Sequence, residues 1–148
     1  MSKLTISIGV AVVLVLGAFV WNATRSAGHS MDQPDLARVS DGAAIVDVTV
    51  PAELSSNAKV GQRAFETKCA ECHGTNAAGQ NGMAPPLVHK IYEPSHHGDM
   101  AFVLAAKNGV RAHHWKFGDM PPVEGLTQGD VMMIVAYVRE LQQANGIN

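Results

Sequence analysis

Five consecutive residues, Cys69, Ala70, Glu71, Cys72 and His73, hold the only two cysteines of this 148-residue chain. Two thiols three positions apart, followed at once by an imidazole, narrow the chemistry to a thiol-disulfide pair, part of a zinc site, or covalent attachment of a c-type haem. A redox pair usually opens a helix in an alternating strand and helix setting, where the helix N-terminus lowers the first thiol's pKa. Here the pair is expected to close a helix instead. Zinc needs two more ligands. His96, His97, His113 and His114 could supply them, but no second Cys-x-x-Cys follows. Haem attachment explains the spacing directly: each thiol adds to one vinyl group, and the next imidazole is placed as the proximal iron ligand. One covalent haem c would use both cysteines and add apolar bulk to a small core.

The compartment is read from the N-terminus. Lys3 precedes an uncharged run over residues 4–22 rich in Val, Leu, Ile and Ala, long enough to span a bilayer. A cleaved secretory signal would have a shorter apolar region and small residues at the cut, whereas Phe19, Val20 and Trp21 stand at the exit. Residues 1–25 are therefore expected to be an uncleaved single-pass anchor in the inner (cytoplasmic) membrane. Lys3 and the free amine before the span, with only Arg25 close after it, favour the remainder lying on the periplasmic side. Net charge is −2 with neither sign gathered into a block, so nothing points to nucleic acid.

Residues 26–56 carry no aromatic side chain, and the acids Asp32, Asp35, Asp41, Asp47 and Glu53 outnumber the bases. They read as a linker, whose reach, if flexible, would be roughly 30 to 40 Å by random-coil scaling. Residues 44–50 could lie as a short strand on something else. Residues 57–148 read as an all-α haem domain. Asn57 can cap a first helix that ends at Gly74 and places Val60, Gly61, Ala64, Phe65 and Lys68 on neighbouring faces. A second helix is expected from Asp99 to Asn108 and Gly109. A third starts at a Thr127 and Asp130 capping box and carries Val131, Ile134, Val135, Val138 and Leu141 at helical spacing up to Gly146.

With these features in place, the segment resembles the class I cytochrome c family. Gly61 and Phe65 precede Cys69 by eight and four residues, as a Gly and a Phe do in that family. Gly118, Asp119, Met120, Pro121 and Pro122 supply the setting of its loop methionine, and Tyr137 follows Met120 by 17 residues, where the family places an aromatic residue in its last helix. The resemblance covers about residues 57–146. It implies a small class I fold wrapped around one haem, His73 and Met120 as axial iron ligands, and a proline carbonyl accepting the proximal imidazole proton. Pro85 is the expected proline, with Pro86 beside it.

Other residues compete for the iron. Met83 sits only ten residues beyond His73, a short loop to wrap round a haem edge, while Met100, Met132 and Met133 fall on expected helices. The His96-His97 and His113-His114 pairs admit several readings: polar loop residues, haem propionate contacts, alternative iron ligands, or a separate copper-like metal site. Tyr92, Trp115 and Phe117 are expected to line the haem crevice.

The expected function is electron transfer by Fe(II)/Fe(III) cycling, with no substrate bond made or broken and no enzyme activity. The protein would be a monomeric membrane-bound carrier in a respiratory chain, taking electrons from a quinol-oxidising complex and passing them to a terminal oxidase. Eight bases and eight acids after Asn57 imply no strongly lysine-rich docking face. A haem subunit of a larger dehydrogenase or oxidase complex is the alternative. A peroxidase-like or gas-sensing protein would need an open iron site.

Overall fold

The computed structural model describes residues 31–148. The expected anchor over residues 1–25 lies outside them. Among the described residues no helix is long and apolar enough to cross a membrane. Gln33–Asn148 form one compact unit.

Among the described residues, four α-helices appear where chain chemistry starts and stops them. Helix α1 (Ser56–Lys68) begins at Ser55, whose side chain accepts from the Ala58 amide at 3.2 Å, rather than at Asn57. Either side chain could cap; Ser55 is favoured because its own amide also donates to Glu140 Oε2 at 3.0 Å. After α1 the backbone breaks at Cys69 and turns once more as α2 (Ala70–His73). Gly74 ends it at φ +73°, and a side chain there would meet the Gly79 carbonyl at 2.5 Å. Helix α3 (Asp99–Asn108) stops at Gly109 with φ +75°, as expected from sequence. Helix α4 (Gln128–Ala144) carries the full capping box between Thr127 and Asp130.

The fold is held where α1 crosses α4. A Cβ on Gly61 would lie 1.8 Å from the Met133 carbonyl oxygen, so the two backbones touch there and only glycine fits. Phe65 and Tyr137, both fully buried, pack with ring centroids 5.7 Å apart, and Ala58, Ala77, Val88, Ile134, Val138 and Leu141 complete the cluster. Each large side chain so buried contributes about 1.5–3 kcal/mol. Val60, assigned from sequence to a face neighbouring Gly61, is 45% exposed; the packing stripe runs through Ala58, Gly61 and Phe65. A smaller cluster of Val103, Val131 and Val135 docks α3 on α4.

The described part of the segment read as a linker is tied to the domain from Gln33 onward. Asn81, a buried polar residue, donates from Nδ2 to the carbonyls of Leu36 (3.3 Å) and Val39 (2.7 Å). Its backbone exchanges hydrogen bonds of 2.9 Å with Gly42 and Ala43. The amides of Ile45 and Val46 both donate to the Ala78 carbonyl, Ile45 is buried, and Thr49 and Asn145 bond each other in both directions. Residues 44–50 do lie on the domain, but through single bonds and not as a strand. The reach of roughly 30 to 40 Å that the segment would have if flexible therefore does not apply to the residues fastened here. Among the described residues the only β pairings are isolated bridges, Gln80 with Ala84 and Val110 with Met120.

Candidate functional site

A cavity of about 970 Å³ opens between α2, α3 and the loops over residues 83–98 and 109–126. That volume lies in the range of cofactor sites, about 300–1,000 Å³. Cys69, Cys72, His73, Pro85 and Met120, all singled out from sequence, line it together.

The Cys-x-x-Cys-His turn is fixed from behind. The Gly79 amide donates to the His73 carbonyl at 2.7 Å, and Gly79 itself sits so close to Pro86 that a Cβ would meet its nitrogen at 2.5 Å. This contact brings the proline loop under the imidazole. His73 Nδ1 lies 2.9 Å from the Pro85 carbonyl oxygen. A carbonyl only accepts, so Nδ1 carries the proton, and a neutral ring then has its lone pair on Nε2. Burial holds the His73 pKa below its ordinary value and so favours the neutral ring at neutral pH, while the Pro85 carbonyl opposes the shift.

Burial, with the neighbouring Cys72, pushes the Cys69 thiol up to about 11. That is opposite to the lowered pKa a thiol-disulfide exchange cysteine requires. The two thiols are not joined to each other.

Met120 is positioned by its backbone. Its amide and carbonyl exchange 2.9 Å hydrogen bonds with Val110, and Gly109 permits the approach, since a Cβ there would meet the Met120 carbonyl at 2.5 Å. Asp119 Oδ1 accepts from the Ala112 amide at 2.8 Å and Val123 donates to the Ala106 carbonyl at 2.8 Å, closing the loop at both ends. Met83 also lines the cavity but is 51% exposed and stands two residues from Pro85, on the His73 side. Met100, Met132 and Met133 take no part in the lining.

Tyr92, Trp115 and Phe117 are lining residues, with Trp115 stacked on Phe117 at 5.8 Å and edge-on to His89 at 5.2 Å. Burial pushes the Tyr92 phenol up to about 12, partly offset by the nearby Trp115 indole. Among the described residues, Trp115 Nε1 is nonetheless buried without an acceptor at hydrogen-bonding geometry. A buried donor left so costs about 1–3 kcal/mol. It fits a group that brings acceptor oxygens into the cavity, as the propionates of a haem do. The thiols, the neutral imidazole, the apolar walls and this donor all suit that group.

One arrangement had no periodic signal in the sequence. The two histidine pairs meet across the rim of the cavity, with His96 Nε2 3.3 Å from His114 Nε2 and the His97 and His114 rings 5.2 Å apart. Burial first, and then the neighbouring histidines, hold the pKa values of His97 and His114 below the ordinary imidazole value.

Comparison with curated proteins and with solved structures yields no match. The family model for cytochrome c matches residues 58–142, more than half of the chain and nearly all of the helical framework around the cavity. The chain belongs to the class I cytochrome c family, whose domains carry one covalently attached haem c.

Proposed function

We propose that this protein is a single-haem carrier in which Cys69 and Cys72 hold the haem, His73 and Met120 are the axial ligands, and Pro85 fixes the proximal imidazole. The bound haem supplies the one-electron Fe(II)/Fe(III) couple. The chain's own contribution is positional. Pro85 holds the proton at Nδ1 of His73 and so directs the Nε2 lone pair away from the proline loop. The Val110 pairing holds the Met120 backbone, and a thioether opposite imidazole favours the ferrous state and raises the potential. The apolar walls exclude water, and Trp115 Nε1 is available to an acceptor oxygen.

The observation that carries this reading is that His73 and Met120 line one cavity from two separately fastened segments. Ferric wild type is expected to show a thioether-to-iron charge-transfer band in the near infrared, and the ferrous protein to bind no carbon monoxide. Met120→Ala is expected to lose the band and bind the gas. Ready binding by wild type, unaltered by the substitution, would overturn the ligation and favour an open iron site.

We further propose an inner-membrane protein with its haem domain on the periplasmic side, passing electrons from a quinol-oxidising complex to a terminal oxidase. The apolar run over residues 4–22 supports the anchor. Recovery of the protein in a salt wash, without detergent, would remove the membrane part of the reading.

A further inference from the structure

The histidines at the cavity rim come from two segments. His96 and His97 sit in a turn whose amides both donate to the Glu93 carbonyl, at 3.1 and 2.8 Å. His114 belongs to the loop that leads to Trp115. One ligating nitrogen from each of His96, His97 and His114 falls within 4.8 Å of the other two.

We propose that these three residues bind one divalent first-row transition ion of the imidazole-preferring kind, Zn²⁺ or Cu²⁺, separate from the haem iron. The spacing supports this. Two ligands at about 2.0–2.1 Å from a tetrahedral zinc stand about 3.3–3.4 Å apart, and His96 Nε2 and His114 Nε2 are 3.3 Å apart. Two neutral imidazoles at that distance could instead share a hydrogen bond, but this would give no role to the third ring. His97 has its other nitrogen fixed: Nδ1 donates to the Ile91 carbonyl at 2.7 Å, so its free lone pair is on Nε2. A metal-bound histidine almost always has such a partner on its second nitrogen.

The backbones that carry the rings are braced as well. Arg139 Nη2 donates to the His97 carbonyl at 2.6 Å, and the same guanidinium is held by Asp99 and the Tyr92 carbonyl. Gln33 Nε2 donates to the His114 carbonyl, so the segment preceding the helical domain also supports this corner. The chemistry of the donors selects the ion. Three neutral nitrogens with no carboxylate suit zinc or copper and disfavour magnesium and calcium, which require oxygen ligands. Three protein ligands leave one tetrahedral position for water or another donor.

The test is calorimetric titration of the full-length, haem-loaded ferric protein in detergent with Zn²⁺ after chelator treatment. In this form both cysteines are consumed by the haem and cannot compete. One equivalent of Zn²⁺ is expected to bind, with a nitrogen shell at about 2.0 Å by X-ray absorption at the zinc edge. His96→Ala and His114→Ala are each expected to weaken binding at least tenfold, with the haem spectrum unaltered. Binding of less than half an equivalent, or equal affinity in the His96→Ala/His114→Ala double variant, would overturn the proposal. So would a changed ferric haem spectrum in either variant, which would assign these histidines to the iron.

Discussion

At the crossing of α1 and α4, buried side chains meet other buried side chains, and the closest approach is between two helix backbones at Gly61 and Met133. Around the cavity the pattern is reversed: backbone hydrogen bonds and close turns at Gly74, Gly79 and Gly109 fasten the loops, while side chains face a space of about 970 Å³. The first region has its own apolar filling. The second has a space where the first has side chains, and among the described residues Trp115 Nε1 meets no acceptor at hydrogen-bonding geometry. A helix pair of this kind can persist without the haem, whereas the loop ring should not.

The largest effect is expected from Gly61→Val, which puts carbon atoms where the Met133 carbonyl already lies. Overpacking of that severity should cost about 3 kcal/mol or more, read by denaturant unfolding of the haem-loaded protein. Near-normal stability would mean that the crossing can shift, contrary to its assigned role. Next, Cys69→Ser/Cys72→Ser, which prevents covalent attachment, should separate the two regions in hydrogen exchange. Protection at the Met120 and Val110 amides should fall at least tenfold more than protection at Val138. Equal losses in both places would show one cooperative unit and erase the contrast.

Smaller changes probe the periphery. Asn81→Ala removes the donor shared by the Leu36 and Val39 carbonyls and should cost about 1–2 kcal/mol, with faster proteolysis between residues 33 and 46. Unchanged cleavage would mean that the backbone bonds alone hold this segment. Thr127→Ala removes one half of the α4 capping box and should cost about 1 kcal/mol, without altering the haem spectrum. A spectral change would show that the start of α4 is coupled to the cavity.

What could be read in advance depended on where the information resides. Helix α4 was legible because Thr127, Asp130 and the spacing from Val131 to Leu141 are local signals that agree with one another. Gly109 and Gly74 were legible as stops because a left-handed backbone strongly favours glycine. The first helix cap was displaced by two residues because Ser55 and Asn57 carry equivalent local chemistry, and the choice is made by Glu140, 85 positions away. The fastening of residues 33–49 left no trace in composition, since its partners are mostly backbone atoms and two asparagines, Asn81 and Asn145. The meeting of His96 and His97 with His114 was equally hidden: both segments are loops, and loops carry no period from which a shared face could be read.

If Met120 ligates the iron as proposed, its reciprocal hydrogen bonds with Val110 would bear on the speed of electron transfer as well as on ligand placement. A redox centre must rearrange its surroundings each time its charge changes, and that work sets the activation barrier when the driving force is small. Under the proposed ligation, the methionine side chain hangs from a backbone pinned on both its amide and its carbonyl, between Gly109 and Pro121. Little of the chain is then left to move between oxidation states. Under that ligation, a pair of bonds that looks like a fragment of sheet would serve to keep the reorganisation energy low.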